Sequence, residues 1–334
     1  MSSHFSRRRI LLGSVAVGAA SFGAYQYRNS QRQPIEIDIN GEWRHDHHPD
    51  EVEAVEFSQE RVPIVISSGR ENEVIAVELR QDQPKWEHTH NSGSLVRDLY
   101  VEGETVLNSG TGNSVVAANL SDGSLQWEHS HHDESVYEVS ASSEQAFSGD
   151  AGGVLIASDL ADGSEKWIHT HHTRGDQIRS VHYDDGDDVV LSTGYDHRII
   201  GAEPTDGSKI WELEHGGSLK SVDKVDEKVY LGLWQSPPDA KVQAVDWESQ
   251  EIVWEHEYHD EDSPGVQELH AAFDLVASAG DDQRVVVVDA ETGELVDQHT
   301  KHDDAVRSVH IVDGDFVVSG SRDGKVIVHE IKRS

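Results

Sequence analysis

The chain has 334 residues, 36% of them hydrophobic, with 63 acidic against 27 basic side chains and a formal net charge of −36. A surface of that sign repels phosphate backbones, which excludes nucleic acid as a partner. It contains no cysteine, so a disulfide framework, thiol chemistry and a cysteine-linked lipid anchor are excluded too.

In chain order, Ser6-Arg7-Arg8-Arg9-Ile10-Leu11-Leu12 resembles the twin-arginine export motif and leads into an uncharged run (10–27) rich in Gly, Ala and Ser. The resemblance implies export by the Tat route, with Arg7 and Arg8 as the paired arginines, so 1–27 reads as a signal or N-terminal anchor. The run is short and only mildly apolar for a transmembrane helix. Residues 28–34 (RNSQRQP) form a polar spacer. The protein is then expected outside the cell or tethered to its outer face, touching membrane only through this segment. The acidic residues are spread along the remaining chain rather than gathered into a tail, which reads as salt adaptation of the halophile kind. In molar salt the Debye length is ~3 Å and self-repulsion is screened.

From residue 35 onward one phrase recurs, most clearly as ANLSDGSLQWEH (118–129) and SDLADGSEKWIH (158–169). Its tryptophan slot holds Trp43, Trp86, Trp127, Trp167, Trp211 and Trp254, and then Asp297, at gaps of 43, 41, 40, 44, 43 and 43 residues. A period of ~40–45 residues is that of one four-stranded propeller blade. Each repeat offers a short apolar strand, a second ending in small residues (DVVLSTG, DFVVSG), a third β-branched or alanine-rich run (RVVVVDA, SVVAANL) and a fourth carrying the tryptophan. Asp-Gly or Thr-Gly pairs such as Asp162-Gly163 separate third from fourth, glycine supplying the positive φ of a tight hairpin. Four strands in ~42 residues leave no room for a helix, so the fold class is all-β. The last repeat lacks a fourth strand, and IEIDINGEW (35–43) is a fourth strand lacking a third. Their pairing would close a seven-bladed β-propeller over 35–331 with no open edge. The tryptophans are read as structural, each burying a large area between blades.

The D-G-x-x-x-W phrase resembles the tryptophan-docking repeat of the quinoprotein-like (PQQ-like) propellers. The stretch 302–330 is similar to a WD40 repeat, whose loop histidine, strand serine, turn aspartate and strand tryptophan fall on His302, Ser319, Asp323 and His329. Both resemblances imply the fold and leave the activity open. A PQQ-dependent oxidoreductase of that family would carry, as the resemblance implies, usually eight blades, a vicinal cysteine pair and a calcium-bound carboxylate. This chain has seven repeats and no cysteine, and it shows no nucleophile elbow, HExxH or P-loop.

Most of the 22 histidines follow the tryptophan slot. They are read as packing and turn residues, with a divalent-metal site or a pH-sensing cluster as alternatives. A metal would draw on the richest loops, His131, His132, His171 and His172, with nearby carboxylates such as Asp133, Asp260 and Asp303. His182, His270 and His310 recur at one position of the first strand, towards the central channel. In LWQSPPDAKV (233–242), Trp234 and two prolines replace the usual turn, giving an exposed aromatic anchor for a partner or else a rigid linker. The function expected is therefore a non-enzymatic, exported propeller acting as a protein-binding or assembly platform at the cell surface. The alternatives are a PQQ-dependent, oxidoreductase-like quinoprotein and a divalent-metal-binding protein.

Overall fold

The computed structural model describes residues 42–58, 63–79, 81, 83–89, 95–173, 176–234, 242–260, 263 and 265–333, with residues 42 and 43 as backbone. These form twenty-eight strands in seven four-stranded antiparallel sheets, with no helix among the described residues. Six sheets are meanders of consecutive strands. Their first strands are β2 (Val52–Ser58), β6 (Val96–Glu102), β10 (Val136–Ala141), β14 (Ile178–Asp184), β18 (Ser218–Val225) and β22 (Val266–Ala272). The seventh is composite, in the order β1 (Glu42–His45), β28 (Val326–Glu330), β27 (Phe316–Ser321), β26 (Val306–Val312). In it Trp43 lies opposite Val328 and His45 opposite Val326. Of the segment read from sequence as the fourth strand of the composite blade, 35–41 lies outside the described residues, as do the export motif and spacer.

The seven first strands touch one another in the cyclic order β2, β6, β10, β14, β18, β22, β26 and back to β2. Side chains staple neighbouring first strands together. The amides of Val222, Leu269 and Val55 donate to Ser180 Oγ (3.1 Å), Ser221 Oγ (3.0 Å) and Ser308 Oγ (3.0 Å). Val139 N donates to Asp98 Oδ2 at 2.8 Å. These bonds satisfy amides that face the neighbouring blade instead of their own sheet.

The apolar core lies between blades. Ile64, Ile66 and Trp86 of one sheet pack on Val96, Leu99 and Leu120 of the next. Each described tryptophan of the slot donates its Nε1–H to a carbonyl one blade on: Trp86 to Leu120, Trp127 to Leu160 and Trp167 to Pro204 (each 2.8 Å), Trp211 to Trp247 (3.0 Å), Trp254 to Ala290 (3.1 Å). The glycine of the next blade's hairpin lies against the indole. At Gly163, φ is 73° and an added Cβ would meet Trp127 Cε3 at 2.7 Å. Glycine is needed there for contact as well as for turn geometry. Gly163→Ala should therefore lower stability by about 2 kcal/mol, the usual scale of a forced left-handed residue, read as a lower urea midpoint. An unchanged midpoint would show that the indole yields freely. In the slot that lost its tryptophan, Asp297 Oδ2 instead meets His329 Nε2 (3.2 Å) and accepts from Lys332 N (3.0 Å).

Candidate functional site

Most of the loop histidines fall into two populations. Of those two residues after a tryptophan, His88, His129 and His256 stack on it, as Trp127 with His129 (ring centroids 5.4 Å apart) and Trp86 with His88 (5.1 Å), while His169 meets Trp167 edge-on. Burial pulls His45, His129, His256 and His299 down to about 3, which keeps them neutral. The second population joins a serine and a turn aspartate. His132 bonds Ser148 (2.8 Å) and Asp150 (2.9 Å), and His172 bonds Ser192 (2.9 Å) and Asp196 (3.0 Å). His259 joins Ser278 and Asp282, and His302 joins Ser319 and Asp323. The carboxylate partners are thus the aspartates of the turn after the second strand, not Asp133, Asp260 or Asp303. His329 turns to Asp297 and stays out of the fourth position of that network. Burial pushes Asp196, Asp282 and Asp323 up, but the histidine and backbone hydrogen bonds outweigh it and leave all three lowered.

This arrangement corrects the metal reading. His132 and His172 use both ring nitrogens, while His131 Nε2 bonds Gly163 O (3.2 Å) and His171 Nε2 bonds Gly207 O (2.8 Å), so the four do not converge. Among the described residues no group of three or more His, Cys, Asp or Glu side chains is placed to hold a metal ion. His182, His270 and His310 do reach the central channel region. His270 and His310 stack 4.2 Å apart, and His182 Nδ1 sits 3.2 Å from Asp223.

Sequence reasoning missed the channel mouth. In every first strand the register shifts between residues two apart, as at Val96/Asp98, Val136/Glu138 and Ile178/Ser180, leaving one extra residue. The seven extra residues are Glu53, Arg97, Tyr137, Arg179, Lys220, Gln267 and Arg307. A bulge of this kind re-aims side chains. Here both members of a pair, Arg97 with Asp98 or Tyr137 with Glu138, line one cavity of about 210 Å³ to which all seven strands contribute. Four of the seven bulge positions are cationic in a chain of net charge −36. The signal was present as a repeated apolar-basic-small-or-acidic-apolar phrase: VRDL (96–99), IRSV (178–181), LKSV (219–222) and VRSV (306–309).

The cations are held by aromatic faces and amides. The Arg97 and Arg179 guanidinium groups lie 4.4 and 4.0 Å from the Tyr137 ring centroid, and Lys220 Nζ lies 4.3 Å from that of Trp234. Lys220 and Arg307 both donate to Gln267 Oε1. Glu53 is matched by Arg70 at 3.8 Å. The Nε–H groups of Arg97, Arg179 and Arg307 are buried and meet no acceptor among the described residues. Burial, reinforced by Arg179, pulls Lys220 down to about 7. Trp234 itself is half-buried at this mouth and bridges to Gly265, where the sequence led us to expect an exposed anchor; residues 235–241 lie outside the described residues.

The floor beneath is carboxylic. Burial raises Asp98 to about 7, and burial followed by the Asp98 charge raises Glu138 and Glu268 well above the ordinary carboxylate range. A quinone cofactor does not fit. The cysteine pair implied by the resemblance is missing from a chain without cysteine, and 210 Å³ falls below the ~300 Å³ at which sites for drug-sized ligands begin.

Repeats, staples and docked tryptophans together define a PQQ-like, seven-bladed β-propeller. The family model described as outer membrane protein assembly factor BamB matches residues 42–185 and again 151–332, and the chain belongs to that family. No curated protein sequence matches the chain. Among solved structures it is similar to the computationally designed Ika8 protein, at 20% identity and a TM-score of 0.63, over 86% of this chain and 98% of that one. That likeness shows the fold alone.

Proposed function

We propose that this protein is a non-enzymatic binding and assembly platform that engages a partner protein at the channel mouth. The observation that carries the reading is the mouth itself, where arginines whose buried Nε–H groups meet no acceptor among the described residues and the half-buried Trp234 come together on a strongly acidic molecule. Aromatic and arginine side chains in a partly desolvated pocket are the usual anchors of protein interfaces. Membership of a family described as an assembly factor of outer membrane proteins supports the same reading and an envelope location. The paired Arg7 and Arg8 support export by the Tat route, and the dispersed acidic charge supports work in high salt on the outer face of the cell.

Trp234→Ala tests this on intact cells with a membrane-impermeant cross-linker. Full burial of a tryptophan costs 3–5 kcal/mol on truncation, so a half-buried one should cost about 2 kcal/mol. Below the melting temperature the variant should stay folded and yet lose its cross-linked partner. A folded variant that captured the partner as well as the parent would overturn the reading.

A further inference from the structure

We propose that the channel mouth is a receptor for a carboxylate group presented by the partner's chain, gripped between the guanidinium groups of Arg97, Arg179 and Arg307. This rests on the platform reading and names the chemistry its site would recognise.

The argument begins with a cost. Four cations are placed in one ring, three of them with buried N–H groups that meet no acceptor among the described residues. Gathering like charges away from water destabilises a fold unless something compensates. This chain has 63 carboxylates with which to neutralise a ring of four, and Arg70 shows the fold doing so nearby, paired with both Glu51 (3.2 Å) and Glu53. Leaving Arg97, Arg179 and Arg307 with amide and aromatic neighbours but no ion pair among the described residues is therefore a local departure from how the rest of the molecule handles charge. Such departures concentrate at functional sites.

The shape of the ring selects the anion. The flat guanidinium groups of Arg97 and Arg179 share the Tyr137 ring, and a guanidinium offers a planar two-hydrogen fork to a two-oxygen acceptor. The cavity of about 210 Å³ admits one short side chain or chain end. Phosphate would be accepted by the same forks, but a dianion would set two charges against Asp98, Glu138 and Glu268, which line the same cavity. A carboxylate sets one. Lys220, fixed between Gln267 and Trp234, adds an N–H donor without a second fork.

The test is calorimetric titration of the full chain, at constant ionic strength, with glutarate, one carboxylate of which would enter the cavity while the other stays in solvent, with inorganic phosphate and with the neutral diamide glutaramide. Glutarate should bind once per chain and more tightly than phosphate, and glutaramide should give no heat. Arg97→Gln and Arg179→Gln should each weaken glutarate at least tenfold. Unliganded, both variants should melt no lower than the parent, because each removes a partly desolvated charge that makes no ion pair among the described residues. An amidated Gly-Glu-Gly peptide and a free-acid triglycine then separate an acidic side chain from a chain end, and one of them should compete with glutarate. The proposal is overturned by absence of glutarate heat, by tighter phosphate, by unchanged affinity in both variants, or by variants that melt lower, which would make the cations structural partners of the carboxyls below. If glutarate fails while Trp234→Ala still loses its cross-linked partner, the platform stands and the carboxylate chemistry falls. Glutarate binding with no partner captured on cells removes the platform instead.

Discussion

Removing residues 35–45 should abolish the single cooperative unfolding transition of the propeller. Strand β1 supplies the fourth strand of the composite sheet, with Glu42, Trp43, Arg44 and His45 opposite His329, Val328, Ile327 and Val326. Without it, β28 presents an unpaired edge whose residues Val326, Ile327 and Val328 are buried in the intact ring. Such an edge pairs with other chains, so aggregation should accompany the loss. Each net hydrogen bond contributes ~1 kcal/mol, and burial of His45 and the residues beneath it adds to that. The total is a large share of the ~5–15 kcal/mol by which domains are stable. Circular dichroism melting and size-exclusion chromatography at constant salt would read both effects. A variant that melted like the parent would show that the inner staples, Ser308 Oγ on Val55 N among them, hold the ends without β1.

The blades were legible because their marker is large and periodic. An indole every forty-odd residues leaves a trace that no other arrangement of this chain accounts for, and the unmatched segments at 35–43 and 325–331 implied the composite sheet. The function of the hairpin glycines was half legible. Their positive φ follows from the turn, whereas the contact of Gly163 with Trp127 joins residues of two blades and has no local trace. The histidines misled because repetition was visible and direction was not. His131 and His132 are neighbours in sequence, yet one bonds the carbonyl of Gly163 in the next hairpin and the other the buried pair Ser148 and Asp150. The channel mouth was hidden by the bulges. Simple strand alternation puts residues 97 and 98, or 137 and 138, on opposite faces, and the inserted residue brings both members of each pair to one cavity.

Asp98→Asn should make the protein more stable at pH 8 and leave it unchanged near pH 4. Burial raises the Asp98 carboxyl from 3.8 to about 7, against hydrogen bonds from Val139 and Leu99 that pull the other way. A raised carboxyl binds its proton more tightly in the folded chain than in the unfolded one. Its contribution is therefore fully present below about pH 4 and is lost as pH rises through 7. Three pH units correspond to about 4 kcal/mol, an upper bound because channel water reaches the half-buried group and screens it. The amide cannot ionise and keeps an oxygen for Val139 N, so the variant escapes the loss without giving up the staple. The buried histidines act in the opposite sense. His45, His129, His256 and His299, lowered to about 3 by burial, contribute stability above pH 6.5 that drains away as pH falls towards 3. Between about pH 4 and 6.5 Asp98 opposes the histidines and reduces the climb of the parent's stability with pH. Taking out Asp98 removes that opposition, so urea midpoints of the variant should climb with pH more steeply than the parent's. Parallel profiles from pH 4 to 8 would mean that Asp98 is ionised in the folded chain, paired with the arginine ring above it, and the ring's charge would then be spoken for.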